Sequence, residues 1–352
     1  MKNLINKKNT IMFSIVLCTY NRENHIEQCL ESLVNQNFSK EKYEVIVVDD
    51  GSVDSTVERA SKYRVKIIKH KTNKGTAAAR NTGLKAARGQ VYICFDDDCY
   101  ADKNWLKNLA KAYKQYEPKT TLGIAGFIKL SIKATGVIDK YMDETGYANP
   151  SPRSYVTSTS LLMRFYAYLR NMFSPNLQND KNIFEVGEIW GANCSFPVEV
   201  LKAVNGWDEN LSGVEDTDLC DRINKKFKDK RFICTKNAII FHDHRLSLSN
   251  LFEKPYGRGL AILRFYLKNG KMPPIFPFPV IIGMLFLLML YPIPLYAVIA
   301  LLLLPQVFYS WWVIKAFKKK KLQFLLFPYL QGGYELFSVL GLIRAAFVYK
   351  KI

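Results

Sequence analysis

The sequence predicts an α/β protein, a mostly parallel sheet with helices on both faces, followed by C-terminal transmembrane helices. Three observations carry this expectation. Short apolar runs alternate with amphipathic stretches along the first part of the chain. Early apolar runs end in polar clusters. Residues 272–314 contain no charged side chain. Alternation of strand-like and helix-like segments argues for a sheet covered on both faces.

In chain order, residues 12–18, 43–48, 64–69 and 90–95 read as strands, and 23–35, 53–62, 74–87 and 103–115 as helices. Lys2, Lys7 and Lys8 precede only eight apolar-leaning residues, Ile11 to Cys18, with no small-residue cleavage site after them. That run therefore reads as a first buried strand behind a tail at 1–11, not as a signal peptide. Strand one ends in Thr19-Tyr20-Asn21-Arg22, strand two in Asp49-Asp50-Gly51-Ser52 and strand four in Asp96-Asp97-Asp98. Open α/β sheets bind ligands at the carboxyl ends of their strands, so these clusters are expected to converge on one crevice. The segment 130–190 reads as irregular and variable, an acceptor-side insertion containing the aromatic stretch RFYAYLRNMF at 164–173. After it come GANCSF at 191–196, GWDENLSGVEDTDLCDRI at 206–223 and a strand-like run, Asn237 to Phe241, ending in His242-Asp243-His244. The expected catalytic domain spans 12–249.

Composition narrows the class. Of 352 residues, 49% are hydrophobic and 23% charged, which excludes wholesale disorder and fibrous proteins. Seven scattered cysteines with no CxxC pair exclude a disulfide scaffold and a structural zinc module. The net charge is +19, and from Asn250 onward 13 Lys/Arg face only Glu253 and Glu335. A basic chain can bind nucleic acid, but no recognised binding motif is present, so no nucleic-acid partner is expected. The lysines instead bracket the charge-free run.

That run has the length of two membrane helices. YPIP at 291–294 divides it into about 275–291 and 295–314, with Lys268 and Lys271 before it and Lys315 and Lys318 to Lys321 after it. A helical hairpin places both lysine flanks on one side, which the positive charge marks as cytoplasmic. The chain is therefore expected at the cell membrane, multi-pass, with its catalytic domain cytoplasmic and lipids as partners. A third apolar segment, 322–348, is interrupted by Gln331, Gly332, Gly333, Glu335 and Arg344 and reads equally as a span, a re-entrant pair or an interfacial helix. Residues 250–271 read as an amphipathic interfacial helix whose Arg258, Arg264 and Lys268 face phospholipid or a lipid-linked diphosphate.

The acidic clusters carry the chemistry. Three adjacent carboxylates repel one another, so gathering them calls for a cation, and hard oxygen ligands favour Mg²⁺ or Mn²⁺. Asp96 with Asp98, or Asp97 with Asp98 and water, can hold a metal–diphosphate; a solvated turn is the bland alternative. Asp50 can accept from a base or ribose, while Asp54 reads as a helix cap. Glu215-Asp216 lies just before or within a helix, where it serves either as a general base or as a complement to the helix dipole. Asp216, Asp218 and Asp221 cannot share one helix face. His242 and His244 point to opposite faces of a strand, so at most one faces the site.

Together, SIVLCTYNR (14–22), VIVVDDGSVDST (45–56), NKGTAAARNTGLKAARGQVYICFDDDC (73–99), GANCSF, GWDE (206–209) and VEDTDL (214–219) resemble a family 2 glycosyltransferase with a GT-A fold, over roughly residues 12–245. The resemblance implies a nucleotide-sugar donor, with a UDP-sugar as default, a divalent cation and inversion at the anomeric carbon. By position it implies donor binding around Thr19, Tyr20, Asn21 and Arg22, with Tyr20 stacking on the base and Asp50 bonding it. Arg80 becomes a further donor-side contact. Asp97 meets the ribose, Asp98 the metal, and Asp96 opens the DxD pattern. Asp216 becomes the general base with Glu215 beside it, and His242 a further metal ligand ahead of His244. The chain lacks the QxxRW sequence of resembling processive synthases, so a translocating polymerase is not expected. The expected acceptor is a hydroxyl of a lipid-linked or cell-surface glycan. A polyprenyl-phosphate sugar synthase and an inactive membrane scaffold are the alternatives.

Overall fold

The computed structural model describes residues 11–116, 120–131, 136–145, 149–150, 181–189, 191–211, 213–243, 247–269 and 295–349. The chain divides into two compact units. The first takes Met1–Ala134, Tyr147–Thr157 and Gln178–His244, the second Thr135–Gly146, Ser158–Leu177 and Arg245–Ile352.

Among the described residues, the first unit is built on one nine-stranded sheet. Its strands are β1 (Phe13–Thr19), β2 (Tyr43–Asp49), β3 (Lys66–Lys69), β4 (Val91–Asp96), β5 (Cys99–Ala101), β6 (Thr121–Leu130), β7 (Ile183–Val186), β8 (Asn193–Pro197) and β9 (Arg231–His242). They lie in the order β3-β2-β1-β4-β8-β6-β9-β5, with β7 paired to β9. The first four run parallel. β8 then enters antiparallel between β4 and β6, so the sheet is mixed. β9 is parallel to β6 and antiparallel to β5 and β7.

The period-two alternation of side chains explains the layers. Phe13, Ile15 and Leu17 of β1 pack with Ile26, Leu30 and Leu33 of α1 (Ile26–Val34), Ala60 of α2 (Thr56–Ser61) and Trp105, Leu106 and Leu109 of α4 (Trp105–Gln115). Val16, Val48 and Tyr92 point the other way. They meet Ala77, Ala79 and Leu84 of α3 (Thr76–Ala86), Leu201 of α6 (Val198–Ala203), and Leu219 and Ile223 of α7 (Glu215–Lys226). Strands covered on both faces read as near-continuous apolar runs, which is why they stand out in the sequence.

Register sets the functional edge. Thr19 pairs with Asp49, and Cys18 with Asp96, so β1, β2 and β4 end level with one another. Asn193, at the start of antiparallel β8, lies opposite Phe95 at this edge. His242, at the end of β9, lies opposite Cys99.

In the second unit, α5 (Val137–Thr145) replaces the irregular structure expected for that part of 130–190. Its Tyr141 and Met142 are buried in a cluster with Leu251, Tyr309, Trp312, Ala316, Phe324 and Phe327, and the apolar Ile138 packs against it at helical spacing. The stretch RFYAYLRNMF at 164–173 lies outside the described residues. The helix expected over 250–271 forms as α8 (Leu248–Lys268). Gly259 of α8 meets Gly341 of α11 (Phe327–Tyr349) so closely that an added Cβ on Gly259 would sit 2.2 Å from the Gly341 backbone. The expected span 295–314 differs from the structure. The helix stops at Phe308 as α9 (Leu295–Phe308) and restarts as α10 (Ser310–Lys319), with Pro305 inside the last turn of α9. The expected span 275–291 lies outside the described residues. Segment 322–348 begins with a short 3₁₀ turn, Leu322–Leu326, and continues as α11. No described helix is long and apolar enough to cross a membrane.

Candidate active site

The loops after β1 and β2 are bolted together. The Asp50 amide donates to the Thr19 carbonyl at 2.8 Å. Asn21, at φ 52°, accepts from the Val53 amide through its side chain, while its own amide donates to Ser52 Oγ. Asn tolerates this left-handed conformation better than most residues. Arg22 N–H donates to Thr56 Oγ1, and Asp54 accepts from the Thr56 and Glu23 amides, so Asp54 caps α2 and also ties the two loops. Tyr20 is left 43% exposed, its ring open at the crevice.

Asp50 is buried. Its Oδ1 accepts from the Lys74 amide at 3.0 Å and lies 2.6 Å from His70 Nδ1, and its Oδ2 accepts from the Gly75 amide at 2.8 Å. The 72–75 loop reaches it because Gly51, at φ 85°, has no Cβ; one would stand 2.8 Å from the Thr72 carbonyl carbon.

The acidic run turns the corner from β4 into β5. Asp97 meets Arg22 Nε at 3.2 Å. Burial pushes Asp97 up to about 6, against the pull of the Arg22 guanidinium. Burial, with the neighbouring carboxylates of Asp98, Asp97 and Asp216, pushes Asp96 up to about 7, while Arg80 pulls it down. The Asp96 side chain is 39% exposed to the crevice, so the crowding of like charges is the better guide to this direction than burial. Asp98 Oδ1 lies 3.3 Å from His242 Nε2.

Arg80, on α3, joins the two acidic regions. Its Nη1 lies 2.7 Å from Asp216 Oδ1 and 3.0 Å from Glu215 Oε1, and its Nη2 lies 3.9 Å from Asp96. Its side chain is 6% exposed. Asp216 stands in the first turn of α7. Trp207 Nε1 donates to its Oδ1 at 2.9 Å and the Gly191 amide to its Oδ2 at 3.0 Å. Oδ1 is thereby filled and Oδ2 keeps one lone pair for a further donor. Glu215 accepts from the Gly213 amide, and burial and Asp216 push its carboxyl above the usual range. Asp218 and Asp221 are turned away, paired to Arg222 and Lys225 one turn on.

All the sequence-predicted site residues therefore line one edge of the first unit. His244 lies outside the described residues. Three contributors escaped sequence reasoning. His70 holds Asp50, and its position just past β3 was the available signal. Trp207, inside the quoted GWDE, holds Asp216. Glu188 has its carboxyl pushed up to about 7 by burial and by the charges of Asp216 and Asp221.

The residues fit a hard divalent cation. Among the described residues, Asp96, Asp97, Glu215 and Asp216 pair with Arg22 and Arg80, and Asp98 lies beside His242. Asp98, Cys99 and His242 offer ligand atoms within 4.8 Å of one another. Burial pushes the Cys99 thiol well above its ordinary range. Asp98 and the neighbouring carboxylates supply the hard oxygen that suits Mn²⁺ or Mg²⁺, and His242 offers one imidazole beside them.

Several known proteins resemble this chain. Residues 14–191 match the model of the family described as Glycosyl transferase family 2. Poly(ribitol-phosphate) beta-N-acetylglucosaminyltransferase TarS of Staphylococcus aureus (strain MW2) is 31% identical over 185 residues, 51% of this chain and 30% of that protein. Dolichyl N-acetyl-alpha-D-glucosaminyl phosphate 3-beta-D-2,3-diacetamido-2,3-dideoxy-beta-D-glucuronosyltransferase of Methanococcus voltae is 30% identical over 200 residues, 54% of this chain and 61% of that protein. The matches thus span only part of each relative's length. In fold, the chain is similar to mannosyltransferase PcManGT from Pyrobaculum calidifontis in complex with GDP-Man and Mn²⁺, with a TM-score of 0.55 at 17% identity over 97% of this chain and 92% of that one. The mixed α/β sheet is that of GT-A glycosyltransferases, and the chain belongs to glycosyl transferase family 2.

Proposed function

We propose that this chain transfers a sugar, with inversion, from a nucleotide-sugar donor to a hydroxyl of a lipid-linked or cell-surface glycan at the cytoplasmic face of the membrane. One observation carries the reading: a single buried guanidinium, Arg80, spans the Asp96 end of the acidic run and the Asp216 carboxylate. Donor-phosphate chemistry and an acceptor base then share one crevice.

The proposed roles take the family's pattern and are supported by this geometry. Tyr20 offers an exposed ring for stacking on the donor base, and Asp50 the acceptor beside it. Asp97, held by Arg22, meets the ribose in this reading. Asp98 and His242 would hold Mn²⁺ or Mg²⁺, with Asp96 alongside. When bound, the cation neutralises charge developing on the departing diphosphate. The open lone pair on Asp216 Oδ2 takes the proton of the attacking hydroxyl. Attack from the face opposite the leaving group gives one displacement with inversion and needs no enzyme nucleophile.

The acceptor class is supported by the names of the relatives, which act on poly(ribitol-phosphate) and on a dolichyl-linked sugar. Membrane attachment is supported by the charge-free run 272–314 with lysines on both sides. It is supported too by exposed Ile314 and Phe317 on α10 beside Lys318 to Lys321. A UDP-sugar is the default donor.

The direct test incubates the full chain with UDP-, GDP- and dTDP-sugars, Mn²⁺ and a membrane lipid extract. The expected result is nucleoside diphosphate release that depends on the extract, with the sugar recovered on a glycan-bearing lipid. Sugar recovered on bare polyprenyl phosphate would instead favour the polyprenyl-phosphate synthase. Nucleotide binding without any release would favour the inactive scaffold.

A further inference from the structure

We infer that His70 is the positioning residue that holds Asp50 in the orientation from which it meets the donor base. The inference rests on the reading above that Asp50 faces the donor base.

His70 lies one residue past β3. Its side chain is 7% exposed and touches neither the acidic run nor Asp216. Nδ1 lies 2.6 Å from Asp50 Oδ1, and Nε2 lies 2.9 Å from Thr82 Oγ1 on α3. Thr82 fixes the ring at its far side, since a hydroxyl can either donate to Nε2 or accept from it. The near nitrogen is thus aimed at Asp50. The amides of Lys74 and Gly75 also point at this carboxylate, and amides only donate. Oδ1 is consequently filled by Nδ1 and the Lys74 amide. Oδ2 holds the Gly75 amide and keeps one acceptor position.

A single remaining acceptor, fixed in direction, is a selective reader. The Asp50 amide is bonded to the Thr19 carbonyl, which ties the Asp50 backbone to the residue before Tyr20, whose exposed ring would stack on any base without choosing among them. Uracil and thymine at N3 and guanine at N1 present an N–H to such an acceptor. Cytosine and adenine present a ring lone pair there, and two facing acceptors are left unpaired. Sites built around a required hydrogen bond reject analogues that lack it far more strongly than stacking can. Without the Nδ1 contact, Oδ1 is left with one donor, the carboxylate is free to rotate, and the fixed direction is lost.

The experiment measures UDP, dTDP, GDP, CDP and ADP binding by calorimetry to the detergent-solubilised full chain with Mn²⁺. The chains compared are wild type, His70→Leu, His70→Asn and Thr82→Val, each checked by thermal melting. Asn places a side-chain amide near the Nδ1 position and should keep the contact; Leu removes it.

Wild type should bind one imino-bearing nucleotide well above CDP and ADP. His70→Leu should weaken that nucleotide at least ~10-fold, the scale of a hydrogen bond to a charged group, while leaving CDP unchanged. His70→Asn should stay within about threefold of wild type on the same scale, and Thr82→Val should fall between. A general packing defect would weaken all nucleotides alike and leave their ratio intact. Unchanged selectivity in a folded His70→Leu protein would overturn the assignment of His70 alone. If His70→Leu does not fold, equal affinities in wild type and Thr82→Val together with lost selectivity in His70→Asn would overturn it. Tightest binding of CDP or ADP by wild type would overturn the orientation argued for Asp50. No nucleotide binding by wild type would overturn the donor reading and this inference with it.

Discussion

Asp216→Asn should lower the turnover number by roughly 10²–10⁴-fold, the usual contribution of a positioned general base. Donor affinity should stay within about threefold, because Asp216 lies on α7 and the proposed base and ribose contacts come from the β1, β2 and β4 loops. The substitution preserves shape, so Arg80 and Trp207 retain an oxygen to bond. What disappears is the oxygen that accepts from the Gly191 amide, and with it the open carboxylate lone pair. Steady-state kinetics at saturating acceptor, alongside donor calorimetry, would check this. A wild-type turnover number would remove Asp216 from the reaction.

Arg80→Met should affect folding as well as activity. The guanidinium is buried and lies against Glu215 and Asp216, with Asp96 just beyond. Its removal leaves carboxylates facing one another in a site with little water. Deleting one partner of such a buried set costs ~3–5 kcal/mol, which a thermal melt would show as a large downward shift. Arg80→Lys separates charge from shape. Lysine keeps the charge but lacks the planar fork that reaches Asp216 through Nη1 and Asp96 through Nη2, so it should recover much of the stability and little of the turnover. Equal recovery of both would reduce Arg80 to charge balance.

The legible part of the fold was the part buried on both faces. β1, β2 and β4 fall within one residue of their expected bounds, because an unbroken apolar run ends sharply where the chain reaches the crevice. β3 is shorter than expected. It is an edge strand, and its terminal Lys66 and Lys69 are exposed, so the apolar pattern overstated its length. β8 was not anticipated as a strand. Its Asn193 and Ser195 look like loop residues, yet both are buried and satisfied by Trp105 Nε1, Tyr113 Oη and the Ile124 carbonyl. That antiparallel strand makes the sheet mixed, and no local pattern announces it.

The candidate site shows the same division. Asp50 and Asp96 to Asp98 could be found because they sit at strand ends, and Glu215-Asp216 through its acidic motif. Arg80 was named only through the resemblance; without it Arg80 is one basic residue among fifty until α3 folds it beneath the acidic run. The remaining supports could not be found. His70 acquires its partner only when the 72–75 loop closes over Gly51. Trp207 reads as a core aromatic and is one, stacking near Tyr92, but its ring nitrogen is what holds Asp216. In each case the role depends on contact across many residues of sequence.

The central claim is a nucleoside-diphosphate site completed by a cation at Asp98 and His242. It is tested most directly by the thermal stability of the solubilised chain with UDP, GDP or dTDP, each with and without Mn²⁺, in wild type and Asp98→Ala. A ligand at ~100 times its dissociation constant stabilises by about 2.7 kcal/mol. The account predicts a shift of this order for one nucleotide, dependent on Mn²⁺ and lost in Asp98→Ala. A nucleotide shift that is indifferent to Mn²⁺ and retained in Asp98→Ala would contradict it.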